Sequence, residues 1–157
     1  FRYDEGAMDK LFRNMQRFAT VVLADMNAQH DLNAQMMAFS QSTKIFWILD
    51  MNRATIFHTK RQLIEMKEHG FVDLNKIQFI LNRVVDKSLD IGLIEETLQS
   101  KIVARLAESP EISRIMNQGG IALNSVFMEG LEQLVGSYHS KGIGSKFTRL
   151  MKGWSPL

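Results

Sequence analysis

Cysteine is absent from all 157 residues. That excludes a disulfide framework, a thiolate zinc site and a cysteine nucleophile, and it is compatible with the cytoplasm. Long apolar runs are absent as well: no stretch reaches the about 18 residues that a transmembrane helix needs. Phe1 to Asn14 carries charges throughout and has no apolar h-region, so no secretory signal is visible. An excess of one charge is also lacking. Nineteen Lys and Arg stand against 17 Asp and Glu, and with a net charge of +2 the domain is not a general polyanion binder. There is no internal repeat and no low-complexity segment. The chain opens on Phe1 rather than Met, from which the expectation is that something upstream is missing.

What is present is a globular composition. Hydrophobic residues make up 45% and charged residues 23% of the chain. The length is that of one ordinary domain, or a piece of a larger one, with enough residues for a real core.

The pattern along the chain alternates. Asp9 to Ala19 carries Leu11, Phe12, Met15 and Phe18 at helical spacing, predicting a helix that buries one stripe. Val21 to Ala24 reads as a buried strand ending in Asp25, and a helix follows around Leu32 to Phe39. Lys44 to Leu49 reads as a second buried strand ending in Asp50. A long helix from about Asn52 to Glu68 is stopped by His69-Gly70, a left-handed cap.

Ile77 to Leu81 is β-branched and aromatic, as a strand buried on both faces is, and it ends in Asn82 and Arg83. Asp90 to Gln99 predicts a short helix and Lys101 to Leu106 a further strand. Ser109-Pro110-Glu111 is a strong helix start, with Ser as cap, Pro in the first turn and an acid at the positive dipole end. Gly119-Gly120 ends that helix, and Ile121 to Tyr138 supplies a last long one. Strands alternating with helices imply right-handed crossovers and a mostly parallel sheet, an α/β fold.

In such a sheet ligands are met beyond the carboxyl ends of the strands, which singles out Asn82 and Arg83. Asn also simply turns the chain after a strand, so the local pattern leaves both roles open.

Three stretches in order carry a resemblance: V-V-L-A-D at Val21 to Asp25, F-I-L-N-R at Phe79 to Arg83, and A-R-L-A-E-S-P-E-I-S-R-I-M-N-Q-G-G from Ala104 to Gly120. Together, across roughly Met8 to Leu123, the chain resembles the C-terminal half of the MinD/ParA-type deviant Walker ATPases, and within them the CpaE/TadZ group of pilus-assembly proteins. On that resemblance residues 1–140 are the C-terminal part of an ATPase-fold domain and 141–157 a tail.

The resemblance implies ATP and Mg2+ as cofactors. Asp25 would be the acid that reaches the magnesium shell through water, with a part in catalysis. Asn82 would bond the adenine edge, Arg83 would flank the base or a neighbouring subunit, and Pro110 and Glu111 would line the adenine and ribose side. It implies a homodimer, partners in a pilus or secretion apparatus, and a cytoplasmic protein peripheral at the inner face of the cell membrane. The alternatives are a MinD-like or flagellar-number ATPase cycling on the membrane, and a pseudo-ATPase interaction module that binds no nucleotide.

Two departures stand out. Phosphate binding needs a Gly-rich loop between strand and helix, with a lysine, and these 157 residues hold none. Met26-Asn27-Ala28 follows Asp25 where the family usually has Pro or Gly. As it stands, this chain should not hydrolyse ATP.

Other chemistry finds little support. The histidines, His30, His58, His69 and His139, show no metal-ligand spacing. The ten methionines are most simply core filler on helices. Arg53, Lys60, Arg61 and Lys67 give the long helix a charged face, usually just solvated. No basic stripe with interleaved aromatics points to nucleic acid, and none is expected as a partner.

The tail from Lys141 to Leu157 has four cations and no acid. On a helix Ile143, Phe147, Leu150, Met151 and Trp154 share one face, bordered by Lys141, Lys146, Arg149 and Lys152. Contact with an anionic membrane surface is one reading, in which each cation contributes about 1 kcal/mol. A helix packed on its own domain or on a partner is the other. The resemblance favours the membrane, since MinD relatives end in an amphipathic membrane-targeting helix.

Overall fold

A computed structural model of the chain describes residues 5–19, 21–26, 32–70, 72–85, 89–119, 129–130 and 134. It contains α1 (Glu5–Phe18), α2 (Leu32–Gln41), β1 (Ile45–Asp50), α3 (Arg53–His69), β2 (Ile77–Val84), α4 (Ile91–Leu98), β3 (Ile102–Ala107) and α5 (Pro110–Asn117), with a short 3-10 turn at Leu74–Lys76 before β2. The chain divides into two compact units, Phe1–Ile45 with Arg61–Ile77, and Phe46–Lys60 with Gln78–Leu157.

In the first unit α1 and α2 pack on each other. Asp9 joins them. Its carboxylate accepts Arg13 Nε at 2.7 Å one turn along α1, and Gln41 Nε2 at 3.0 Å from the end of α2. Helix α1 forms where its periodicity places it, but the stripe expected to be buried is not. Leu11, Met15 and Phe18 are exposed, Phe18 to 90%, and only Phe12 is half-buried. Local terms such as the i,i+4 Asp9–Arg13 pair therefore matter more to this helix than core burial does.

The strand expected at Val21 to Ala24 does not form. Residues 21–26 have no regular secondary structure, and Val21 and Leu23 are exposed. A strand exists through its ladder, and no described strand pairs with this segment. The segment instead lines a groove with Asn14, Met15 and Phe18 of α1.

The sheet has the order β1-β2-β3, with its strands parallel. A central strand must be apolar on both faces, and β2 is: Phe79, Ile80 and Leu81 are buried in succession, Leu81 completely. The neighbouring strands are buried on one face only, which corrects the expectation that Lys44 to Leu49 is a fully buried strand. Ile45 and Leu49 are buried while Phe46 and Ile48 alternate with them and are exposed. In β3, Ala104 and Leu106 are buried and Val103 and Arg105 are exposed.

Ile80, Ala104 and Leu106 form one apolar cluster, with Leu134, a helical residue, packed against it. Gly130, also helical, sits against the backbone of β3. A Cβ there would lie 2.5 Å from the Arg105 carbonyl oxygen and 2.9 Å from Leu106 Cδ2. Only glycine lets the helix approach so closely. On the other face Trp47 meets Phe79, ring centroids 6.3 Å apart.

The joints explain the element ends. Gly70, at φ +64°, takes the left-handed conformation expected after α3. Asp90 caps α4 through Gly92 N–H, and Gln99 closes it at φ 52°. Glu95 of α4 then accepts the backbone N–H of Ile102 at 2.9 Å and Lys101 Nζ at 2.7 Å, fixing where β3 begins. Those bonds hold the Glu95 carboxyl below the usual glutamate range, the Lys101 hydrogen bond first and the Ile102 N–H second. Most of the last helix expected over Ile121 to Tyr138, and the whole tail from Lys141 to Leu157, lie outside the described residues.

Candidate functional site: the carboxyl edge of the sheet

In a parallel sheet every strand delivers its last residues to the same edge. Here these are Asp50 of β1, Asn82 to Val84 of β2, and Ala107 of β3 with the Glu108 that follows. The structure therefore brings together the two sequence-predicted pairs, Asn82 with Arg83 and Pro110 with Glu111, at one edge.

Their local geometry differs from the sequence reading in one respect. Asn82 and Arg83 do not follow the strand; β2 continues through both to Val84. The register explains how. Leu81 pairs with Arg105 and Val84 with Ala107, so three steps along β2 match two along β3. One extra residue is accommodated at Asn82–Arg83, and Arg83 absorbs it with φ 54°, in the left-handed region. Asn82 is half-buried and Arg83 exposed. Among the described residues neither side chain has a hydrogen-bond or ion-pair partner, so both are available at the edge.

Beyond the bulge the ladder resumes, and Glu108 N–H donates to the Val84 carbonyl at 3.0 Å. That bond carries the strand pairing one residue past β3, directly into the turn that opens α5. Pro110 is the first residue of α5, where its missing N–H costs nothing, and the Ser109 carbonyl accepts Ile112 N–H at 3.1 Å. Glu111 is exposed in the first turn, 3.9 Å from Arg114.

At the β1 end, Asn52 N–H donates to the Asp50 carbonyl at 2.8 Å, and Asn52 Oδ1 caps α3 by accepting Ala54 N–H at 2.8 Å. Asp50 is thus an exposed acid on the same edge. The sequence reading noted it only as the end of a strand. The signal that picked out Asn82, a polar residue closing an apolar run, applies to Asp50 equally.

Asp25 belongs to the first unit, where it is exposed and follows the irregular segment 21–24. Among the described residues no cluster of three or more His, Asp or Glu could hold a metal ion. A lone carboxylate suits magnesium only in the way magnesium is commonly held, through water and substrate phosphates. The half-buried Asn82 amide, without a partner among the described residues, suits the hydrogen-bonding edge of a base.

No family model matches the chain and no curated protein does. Solved structures do match. The cell division ATPase MinD of Pyrococcus furiosus aligns with a TM-score of 0.65 at 18% identity, over 94% of this chain and 59% of that one. MinD of Pyrococcus horikoshii, solved with Mg-ADP, aligns with a TM-score of 0.68 at 18% identity, over 90% of this chain and 59% of that one. A ParA family ATPase of Chlorobium tepidum aligns with a TM-score of 0.65 at 16% identity, over 75% and 49%. At these identities the likeness is one of fold: the sheet and its helices are of the MinD/ParA, P-loop NTPase-like type. The chain spans about three fifths of the MinD chains it matches.

Proposed function

We propose that these residues form the C-terminal portion of a nucleotide-binding domain of MinD/ParA type. The protein that carries them would act as a nucleotide-linked localisation or scaffold component of a pilus or secretion apparatus, in the manner of the CpaE/TadZ group. The observation that carries the nucleotide reading is the sheet's carboxyl edge. There an amide with no partner among the described residues, Asn82, stands on the strand next to the one that feeds the Pro110–Glu111 helix start.

In this reading Asn82 bonds the adenine edge, Arg83 flanks the base or a neighbouring subunit, and Pro110 and Glu111 line the adenine and ribose side. Asp25 orients the water shell of Mg2+. ATP and Mg2+, when bound, would supply a charge-bridged phosphate group through which two copies can associate.

A second reading, a pseudo-ATPase interaction module that binds no nucleotide, draws on Met26-Asn27-Ala28 following Asp25, where the family that the sequence resembles usually has Pro or Gly. Calorimetry of Mg-ATP with the longest native chain containing these residues separates the two. Binding that Asn82→Ala weakens by about 1–3 kcal/mol supports the first reading, because the substitution strands a base edge without its partner. Unchanged affinity removes Asn82 from the site, and no binding by a folded protein supports the second.

The tail carries the proposed membrane contact. Deleting Lys141 to Leu157 is expected to abolish sedimentation with anionic liposomes, and retained sedimentation would sink the anchor reading.

A further inference from the structure

The bulge in β2 is held at a cost that its own sequence does not minimise. Left-handed backbone at a residue other than glycine or asparagine is disfavoured, by about 1–2 kcal/mol. Arg83 adopts it in mid-strand, φ 54°, where a glycine would sit without strain. Bulges are also far rarer in parallel than in antiparallel pairs.

What the extra residue achieves can be read from the register. Were β2 regular through these residues, Leu81 and Val84, three apart, would face opposite sides of the sheet and Val84 would run one residue past its pairing with Ala107. With the extra residue, the Val84 carbonyl reaches Glu108 N–H, and the turn into α5 is tied to the end of β2. Asn82 is the residue between the last regular pair, Leu81 with Arg105, and the bulged one. A single backbone conformation at Arg83 therefore sets both the amide of Asn82 and the start of α5.

We propose that Arg83 is a positioning residue: its left-handed backbone registers Asn82 against the Ser109–Glu111 turn, so that the base of a bound nucleotide is read by the amide on one strand and seated on the turn after the next. This rests on the nucleotide reading above and deepens it, because it makes discrimination between bases depend on a backbone angle two bonds from the reading side chain. The backbone, not the guanidinium, carries the effect.

The test uses two variants of the longest native chain containing these residues, with ATP and GTP as probes. Arg83→Gly keeps the left-handed conformation and removes its strain. It is expected to raise the melting temperature and to keep the ATP-to-GTP preference, whatever affinity for both nucleotides is lost with the guanidinium. Arg83→Val cannot hold that conformation easily, being β-branched, and is expected to lower ATP affinity about tenfold and erase the preference.

If Arg83→Val melts earlier but keeps the wild-type ATP-to-GTP ratio, the bulge is structural only and the proposal falls. It falls equally if Arg83→Gly loses the preference, since the side chain would then be the reader. If the unaltered, folded chain binds no ATP, the nucleotide reading fails first and takes this one with it.

Discussion

The Glu108 N–H and the Val84 carbonyl, 3.0 Å apart, join the end of β2 to the first residue beyond β3. Because the contact is backbone to backbone, the side chain of Glu108 is free to vary while the N–H is not. Glu108→Pro deletes the donor and leaves the Val84 carbonyl without it. Chemical denaturation is expected to show a loss of about 1–3 kcal/mol, against a change within about 0.5 kcal/mol for Glu108→Ala, which keeps the N–H.

Leu81 is fully buried at the centre of the sheet. Leu81→Ala removes its methyl groups and leaves a cavity between layers that cannot close, at a cost of about 2–5 kcal/mol. The same measurement on Ile48→Ala, on the exposed face of β1, should give under about 1 kcal/mol. Equal losses at the two positions would contradict the one-sided burial of β1.

Gly130 tolerates no methyl group, because the nearest atom is a backbone carbonyl rather than the end of a flexible side chain. Gly130→Ala gains helix propensity of up to about 1 kcal/mol and would stabilise an exposed helix. Here the clash with Arg105 is expected to win, giving a net loss of about 1–3 kcal/mol by thermal melting. A stabilised variant would mean that the helix stands further from β3 than described.

Glu95 ionises more readily than an ordinary glutamate, held by Lys101 and by the Ile102 N–H. A depressed folded-state value means that this contribution is present above the unfolded-state value. It is lost as pH falls through the folded one, so it disappears only in acid below the normal glutamate range. An NMR titration of the Glu95 carboxyl should show the depressed midpoint, and Lys101→Ala should move it back towards normal. Since Lys101 is exposed, the move should shrink with added salt.

How much of this was legible beforehand depends on what each signal measures. The strands β1, β2 and β3 and the helices α3, α4 and α5 follow from apolar runs and cap residues that act locally. Gly70 announces its own left-handed turn because glycine is the residue that adopts it freely. Arg83 gives no such notice: nothing in an arginine marks a positive φ, so the strand was expected to stop at Leu81 when it runs on to Val84. The misreading of Val21 to Ala24 has another source. An apolar run records a capacity to pair, whereas pairing depends on whether another strand offers its edge.

The same distinction applies to the site. The resemblance sets Asn82 and Pro110 about one adenine, whereas their local patterns do not connect them; the parallel register brings the ends of their strands to one edge. Asp50 shares it too, yet no motif surrounds it to mark it in the sequence.

The consecutive burial of Phe79, Ile80 and Leu81 has a consequence for the order in which the molecule comes apart. Amides of a strand flanked on both sides exchange with solvent only when the sheet itself separates, whereas those at a frayed end exchange through small local openings. The middle of β2 should therefore hold its protons longest, and their exchange rate is a clock for global unfolding of the second unit. The bulge at Asn82–Arg83 marks where that slow region gives way to a fast one. The residues best placed to meet a ligand thus sit at the boundary between the most durable part of the chain and its more yielding edge.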